Sequence, residues 1–168
     1  IMKTKTILLS RLRLHFKEAD IIAAILARTK VIRFKKGEVI MRQEDNCDRV
    51  GVITKGVARW YHEGGPQENS VIQFFGVGNF LTAPYCFFHG EPAYGSIQAL
   101  DDLEIYFIIR EDFDAIGAEY PAFLTHSYAA LSKLMMQYLD EKNQLLRLSA
   151  TDRYLYFQEK YPEVALRV

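Results

Sequence analysis

Residues 74–100 read FFGVGNFLTAPYCFFHGEPAYGSIQAL, and the fold turns on how this stretch is read. It places seven aromatic side chains and four glycines between two runs of strand character. In its middle, Thr82-Ala83-Pro84 has the form of a helix start, a hydroxyl able to cap followed by proline at a first-turn position. A strand, a glycine turn, a short helix, a loop and another strand make a compact pocket. The free backbone N–H groups of such a helix start suit an anion.

Working outward towards the N-terminus, 71–75, 57–61 and 50–54 read as strands, and the last two flank Lys55-Gly56, a hairpin signal. Gly64-Gly65-Pro66 marks another turn, and the polar run 42–49 is a loop. Residues 39–41 and 31–35 are two further strands about Lys36-Gly37. Ahead of them, 17–28 carries Ile21, Ile22, Ile25 and Leu26 at the one-sided spacing of a surface helix. Beyond the stretch, 103–109 alternates as a last strand, with Leu103, Ile105, Phe107 and Ile109 on one side. Short strands at this spacing predict a mainly β fold with flanking helices, a sandwich or rolled barrel.

The pattern changes at Arg110. Glu111-Asp112-Phe113-Asp114 opens a short helix and Pro121 a long one, since no Gly or Pro interrupts the chain from there to Leu148. Leu131, Tyr138 and Leu145 repeat every seven residues, with Leu134 and Leu148 at companion positions and Glu141 in the remaining slot. A helix of about 28 residues extends about 40 Å, longer than a small roll covers. The expectation is therefore a self-pairing helix and a parallel homodimer; the rival reading is a helix lying on its own sheet. Residues 149–152 offer fresh cap candidates, and 153–161 reads as a further short helix closed by Pro162.

Charge and composition exclude several classes. The 168 residues carry 21 basic and 21 acidic side chains, so no net field invites nucleic acid or an anionic membrane. No apolar run is long enough to span a bilayer, and the N-terminus lacks a signal-peptide core. Met2, behind Ile1, is the expected natural start. Cys47 and Cys86 are 39 residues apart. They make no disulfide framework and fit a reducing interior, so the expected location is cytoplasmic. Two cysteines cannot supply the roughly four ligands of an iron–sulfur sensor. His15, His62, His89 and His126 read as ordinary polar residues rather than haem or metal ligands. The nearest two are 27 positions apart, which excludes the paired-histidine pattern of a metal cupin. No nucleophile–base pair or phosphate-cradling loop stands out, so neither an enzyme nor a cofactor is expected.

Four segments in order carry a resemblance: FKKGEVIMRQEDNCDRVGVITKGVARWYHEGG at 34–65, GNF at 78–80, SIQALDDLEIYFIIREDF at 96–113 and ATDRYLYFQEKYPE at 150–163. Together they resemble the Crp/Fnr superfamily of bacterial regulators, most similar in style to those of Bacteroidetes. The resemblance implies a double-stranded β-helix, or jelly roll, of the cyclic-nucleotide-binding type, followed by a dimerisation helix and a winged-helix DNA-binding domain. It divides the chain into an N-terminal helix and β-roll sensor at 1–110, a short and a long dimerisation helix at 111–148, and the start of a DNA-binding domain at 149–168. The remainder of that domain is not housed in these residues.

In relatives that bind cyclic AMP, a Gly-Glu pair precedes the short helix and an Arg-Ser or Arg-Thr pair follows it. The glutamate takes the ribose hydroxyl, and the arginine with the helix amides holds the phosphate. Laid on this chain, those positions are Thr82-Ala83 and Ala93-Tyr94, and Pro84 removes a further N–H. No arginine lies between Arg59 and Arg110. The resemblance thus implies an effector pocket at Phe80, Leu81, Thr82, Ala83, Tyr85, Ala93, Tyr94 and Gly95 that does not bind cyclic nucleotides. Its rings, with Phe87 and Phe88, either line an apolar cavity for a different small molecule or fill the space themselves. The implied function is the sensor and dimerisation part of a transcription regulator. The alternative is a stand-alone module that binds another small ligand or a protein partner, without DNA binding.

Overall fold

Period-two alternation along the strands sorts the apolar side chains onto one face, and two such faces close on each other. The computed structural model describes residues 2–64 and 70–165. Helices α1 (Met2–His15) and α2 (Ala19–Arg28) precede strands β1 (Lys30–Phe34), β2 (Val39–Met41), β3 (Arg49–Lys55), β4 (Ala58–His62), β5 (Ser70–Phe75) and β6 (Phe80–Leu81). Helix α3 (Pro84–His89) and strands β7 (Ser96–Ala99) and β8 (Leu103–Ile109) follow, then helix α4 (Arg110–Glu119). The strands form two antiparallel four-stranded sheets in the orders β1-β8-β3-β6 and β2-β7-β4-β5. The two sheets and their flanking helices make the jelly roll that the resemblance implies. Its core is Ile53, Ala58, Phe75, Leu81, Ile97, Ala99, Leu103, Ile105 and Phe107, with Trp60 and Met41 packed against it.

The hairpin expected at Lys55-Gly56 does not form. Strands β3 and β4 belong to different sheets, so the turn carries the chain from one sheet to the other. Gly56 takes φ +83, and a Cβ there would lie 2.6 Å from the Asp102 carbonyl oxygen. The glycine thus serves a left-handed crossover packed against another loop rather than a two-strand turn. Of the expected Gly64-Gly65-Pro66 turn, Gly64 has φ +84, while Gly65 and Pro66 lie outside the described residues.

Helix α1 was not anticipated. Its buried side chains, Leu8 and Leu12, continue to Phe16 at a strict four-residue interval, a stripe too narrow to stand out among the neighbouring apolar residues. It packs on β3, and Thr4 Oγ1 lies 3.3 Å from the Tyr106 hydroxyl. Helix α2 buries Ile21, Ile22, Ala24 and Ile25 but leaves Leu26 40% exposed, a departure from the expected apolar face.

The chain divides into two compact units, Ile1–Tyr120 and Pro121–Val168. The second holds the long helix α5 (Pro121–Arg147), α6 (Ala150–Lys160) and α7 (Pro162–Ala165). Helix α5 has 27 residues, close to the expected length. Ser149 caps α6, its hydroxyl accepting from the Asp152 N–H at 3.2 Å. Pro162 ends α6 as expected but also opens α7. Glu141, the polar residue in the expected heptad seam, is held by Lys160 at 2.6 Å and by the Tyr161 hydroxyl at 3.2 Å. Burial, followed by the Glu141 charge, pushes the Tyr161 phenol up to about 12.

Candidate functional site

The short helix expected after Thr82 is present as α3, with proline at its first position and Gly90 ending it in the left-handed region at φ 73. Its cap is Ala83 rather than Thr82, with no side-chain cap hydrogen bond. The Thr82 hydroxyl turns instead to the Arg49 carbonyl, 3.5 Å away. The helix is six residues long.

Helix α3 is fixed by its rings and by a small apolar cluster. Phe87 is fully buried and meets Phe88 and Phe113 edge-on, at centroid distances of 5.0 and 5.4 Å. The Arg110 guanidinium lies 4.2 Å from the centroid of the Phe87 ring. Ala83, Cys86 and Ala93 form a cluster of their own, against which Met41 and Cys47 pack. The backbone of Ala93 is paired with the loop before β3: its N–H donates to the Asp45 carbonyl at 2.9 Å, and its carbonyl accepts from the Glu44 N–H at 2.8 Å. Glu44 takes a left-handed φ of 70 to make that clamp, the sole non-glycine positive φ among the described residues.

The remaining expected pocket residues disperse. Leu81 enters the roll core, and Phe80 meets the His15 ring at 5.3 Å. Tyr85 and Tyr94 are 62% and 66% exposed and lie against His89 and His62. Gly95 sits where a Cβ would fall 2.5 Å from the Tyr61 carbonyl oxygen and 2.8 Å from Trp60 Nε1. It is a point of close backbone approach. An open cleft of about 470 Å³ lies elsewhere, beside α1 and α2, lined by Arg13, Phe16, Lys17 and Leu26 among others.

Three features had no distinct signal in the sequence. Trp60, on β4, packs against the roll core, and its buried Nε1 has no hydrogen-bond partner among the described residues. An unmet buried donor costs about 1–3 kcal/mol. Ser96 is fully buried; it accepts from the Gln43 N–H at 2.7 Å and donates to the Glu63 carboxylate. The charged side chain on that wall is therefore an acid. Third, the Cys47 N–H donates to Cys86 Sγ at 2.7 Å, so the two cysteines are neighbours in space.

The arginines flanking the cassette have other partners. Arg49 pairs with Asp48 at 2.7 Å, Arg59 donates to Gln98 at 2.8 Å, and Arg110 covers Phe87. Among the described residues, no group of three or more His, Cys, Asp or Glu could hold a metal ion. No described helix is long and apolar enough to cross a membrane.

The family model for the cyclic nucleotide-binding domain matches residues 31–120, the whole roll and the helix after it. The chain belongs to the cyclic nucleotide-binding domain family. No curated protein matches the sequence. Among solved structures, this domain is similar to the Thermus thermophilus catabolite activator protein, at 18% identity and TM-score 0.64, over 77% of this chain and 60% of that one. It is similar at 19% identity and TM-score 0.64 to the c-di-GMP responsive global regulator CLP of Xanthomonas campestris, over 84% of this chain and 71% of that one. The sensor domain of the transcriptional regulator DNR from Pseudomonas aeruginosa gives 15% identity and TM-score 0.64, over 82% and 91%. At these identities the likeness is one of fold. The chain spans less than two thirds of the Thermus protein's length.

Proposed function

We propose that this chain is the sensor and dimerisation part of a Crp/Fnr-like transcription regulator that works in the cytoplasm and does not respond to cyclic AMP. One observation carries the reading. Where relatives place the ribose acceptor and the phosphate cation, this chain has Ala83 and Ala93, 3% and 2% exposed and packed with Cys86 in an apolar cluster. Losing one partner of a buried charged hydrogen bond costs roughly 2–5 kcal/mol, and here two are missing. Arg49, Arg59 and Arg110, the nearest in sequence, are held by Asp48, Gln98 and Phe87.

The effector is a small apolar or aromatic molecule, taken beside Phe80, Leu81, Thr82, Ala83, Tyr85, Ala93, Tyr94 and Gly95. It carries an acceptor for the buried Trp60 Nε1. The long helix α5 pairs with a second copy through Leu131, Leu134, Tyr138, Leu145 and Leu148. Within that seam Leu134 is 38% exposed; Met135, Met136 and Leu139 are exposed on a different face of the helix. DNA contact belongs to a domain continuing from α6, and effector occupancy shifts the spacing of two such domains in the dimer.

A thermal-shift titration tests the cyclic-nucleotide part. A ligand at about 1,000 times its Kd stabilises by about 4 kcal/mol, a shift of several degrees for a chain of this size. Millimolar cyclic AMP or cyclic GMP is expected to leave the melting point in place. A rise of several degrees with either would sink the reading.

A further inference from the structure

We propose that Cys47 and Cys86 form an oxidation site, a dithiol that a hydroperoxide converts to an intramolecular disulfide across the cassette. The geometry comes first. The Cys47 N–H lies 2.7 Å from Cys86 Sγ, which puts the Cys47 main chain against the other sulfur. The Cys86 thiol in turn donates to the Asp45 carbonyl at 3.5 Å, two residues before Cys47. The two contacts hold the 45–47 main chain against the Cys86 sulfur, the neighbourhood that a bridge between the two side chains needs.

The two thiols are unequal in the way a sensing pair requires. Cys47 is half-buried and open to a small oxidant, whereas Cys86 is 2% exposed. Burial first, and the adjoining Cys47 among the lesser causes, pushes the Cys86 thiol up, so it is a poor first nucleophile. Cys47 Sγ lies 3.4 Å from the Arg49 carbonyl and 4.0 Å from the Thr82 hydroxyl. The hydroxyl beside that sulfur can stabilise the oxygen that leaves a peroxide.

The Cys47 thiolate attacks the O–O bond of a hydroperoxide, forming a sulfenic acid and releasing an alcohol, or water from hydrogen peroxide. The Cys86 sulfur then loses its proton and attacks the Cys47 sulfur. The S–S bond forms as the S–O bond breaks, and hydroxide leaves with that proton as water. Two thiols are oxidised and one hydroperoxide is reduced. The bridge ties the 42–49 loop, which clamps Ala93 through Glu44 and Asp45, to helix α3. The site stands independently of what the roll binds.

The test treats the reduced chain with hydrogen peroxide, counts thiols after denaturation and maps peptides. Both thiols are expected to vanish together, giving one linked peptide pair within a single chain, and dithiothreitol restores them. With Cys47→Ser, Cys86 stays reduced at the same dose; with Cys86→Ser, Cys47 stops at a sulfenic acid that dimedone traps. If Cys86→Ser does not fold, the wild type and Cys47→Ser, altered at a half-exposed position, decide the matter. Sulfinic acid on Cys47 with Cys86 still reduced would overturn the proposal. So would a bridge only between chains, or no reaction at a dose that oxidises free cysteine.

Discussion

Phe87→Ala discriminates between a ring that fills the cassette and a ring that merely lines a cavity. Phe87 is fully buried, and it joins α3 to α4 through Phe113 while Arg110 covers its face. Removing a buried phenylalanine costs about 3–5 kcal/mol. The edge-on ring pairs and the cation contact place this site towards the upper part of that range. A loss of about 4 kcal/mol lowers the melting point by about 8–16 °C at this chain length. In urea, with a slope near 2 kcal/mol per molar, the midpoint falls by about 2 M. Trp60 is the only tryptophan and sits in the roll, so its fluorescence reports that unit directly. Tyr85→Ala, at a site 62% exposed on the same helix, is the control and is expected to cost less than about 1 kcal/mol. A Phe87→Ala loss below about 1.5 kcal/mol would mean that the ring borders space which readily collapses, and the packed-cassette argument would fail.

Tyr138→Glu with Leu145→Glu places charges on the seam of α5, and light scattering at micromolar protein is expected to show the dimer reduced to monomers. A wild-type monomer, or a double variant that stays dimeric, rejects the seam. At Glu104, 9% exposed, burial opposes ionisation, but hydrogen bonds from Arg33 and Thr54 more than offset it and hold the carboxyl below its ordinary value. A depressed carboxyl stabilises the fold above its unfolded pKa, and that share is lost as pH falls through the folded value. Glu104→Gln is therefore expected to flatten the decline in urea midpoint below about pH 4.5. An equally steep decline in the variant rejects the assignment.

What could be read from the chain alone follows the range of the interaction involved. Strand alternation and turn glycines are local, and β3, β7 and β8 send Ile53, Ile97 and Leu103 into the core they share, although β8 buries its other face as well, at Tyr106 and Ile108. At the positions that the resemblance assigns to cyclic-nucleotide contacts the chain alone shows Ala83 and Ala93, and the structure adds that both are buried. Gly56 misled because φ +83 suits a hairpin and a crossover alike, and only Asp102, 46 residues on, distinguishes them. Thr82 misled as a cap for a related reason. Its hydroxyl donates to the Arg49 carbonyl, supplied by a distant strand, and α3 starts one residue later with Ala83 as its cap.

The same distinction explains why the cassette keeps its shape without its grips. Its form is held by main-chain pairing of Ala93 with Glu44 and Asp45, by the left-handed Gly90 and by the Phe87–Phe113 contact. None of these depends on a ligand or on a charged side chain reaching into the pocket. Ligand grips can then be lost at little cost to the fold, since removing both members of an interaction leaves no buried group unmet. Trp60 is the exception, because its Nε1 is buried with no hydrogen-bond partner among the described residues. The effector proposed above meets that donor with an acceptor presented towards β4.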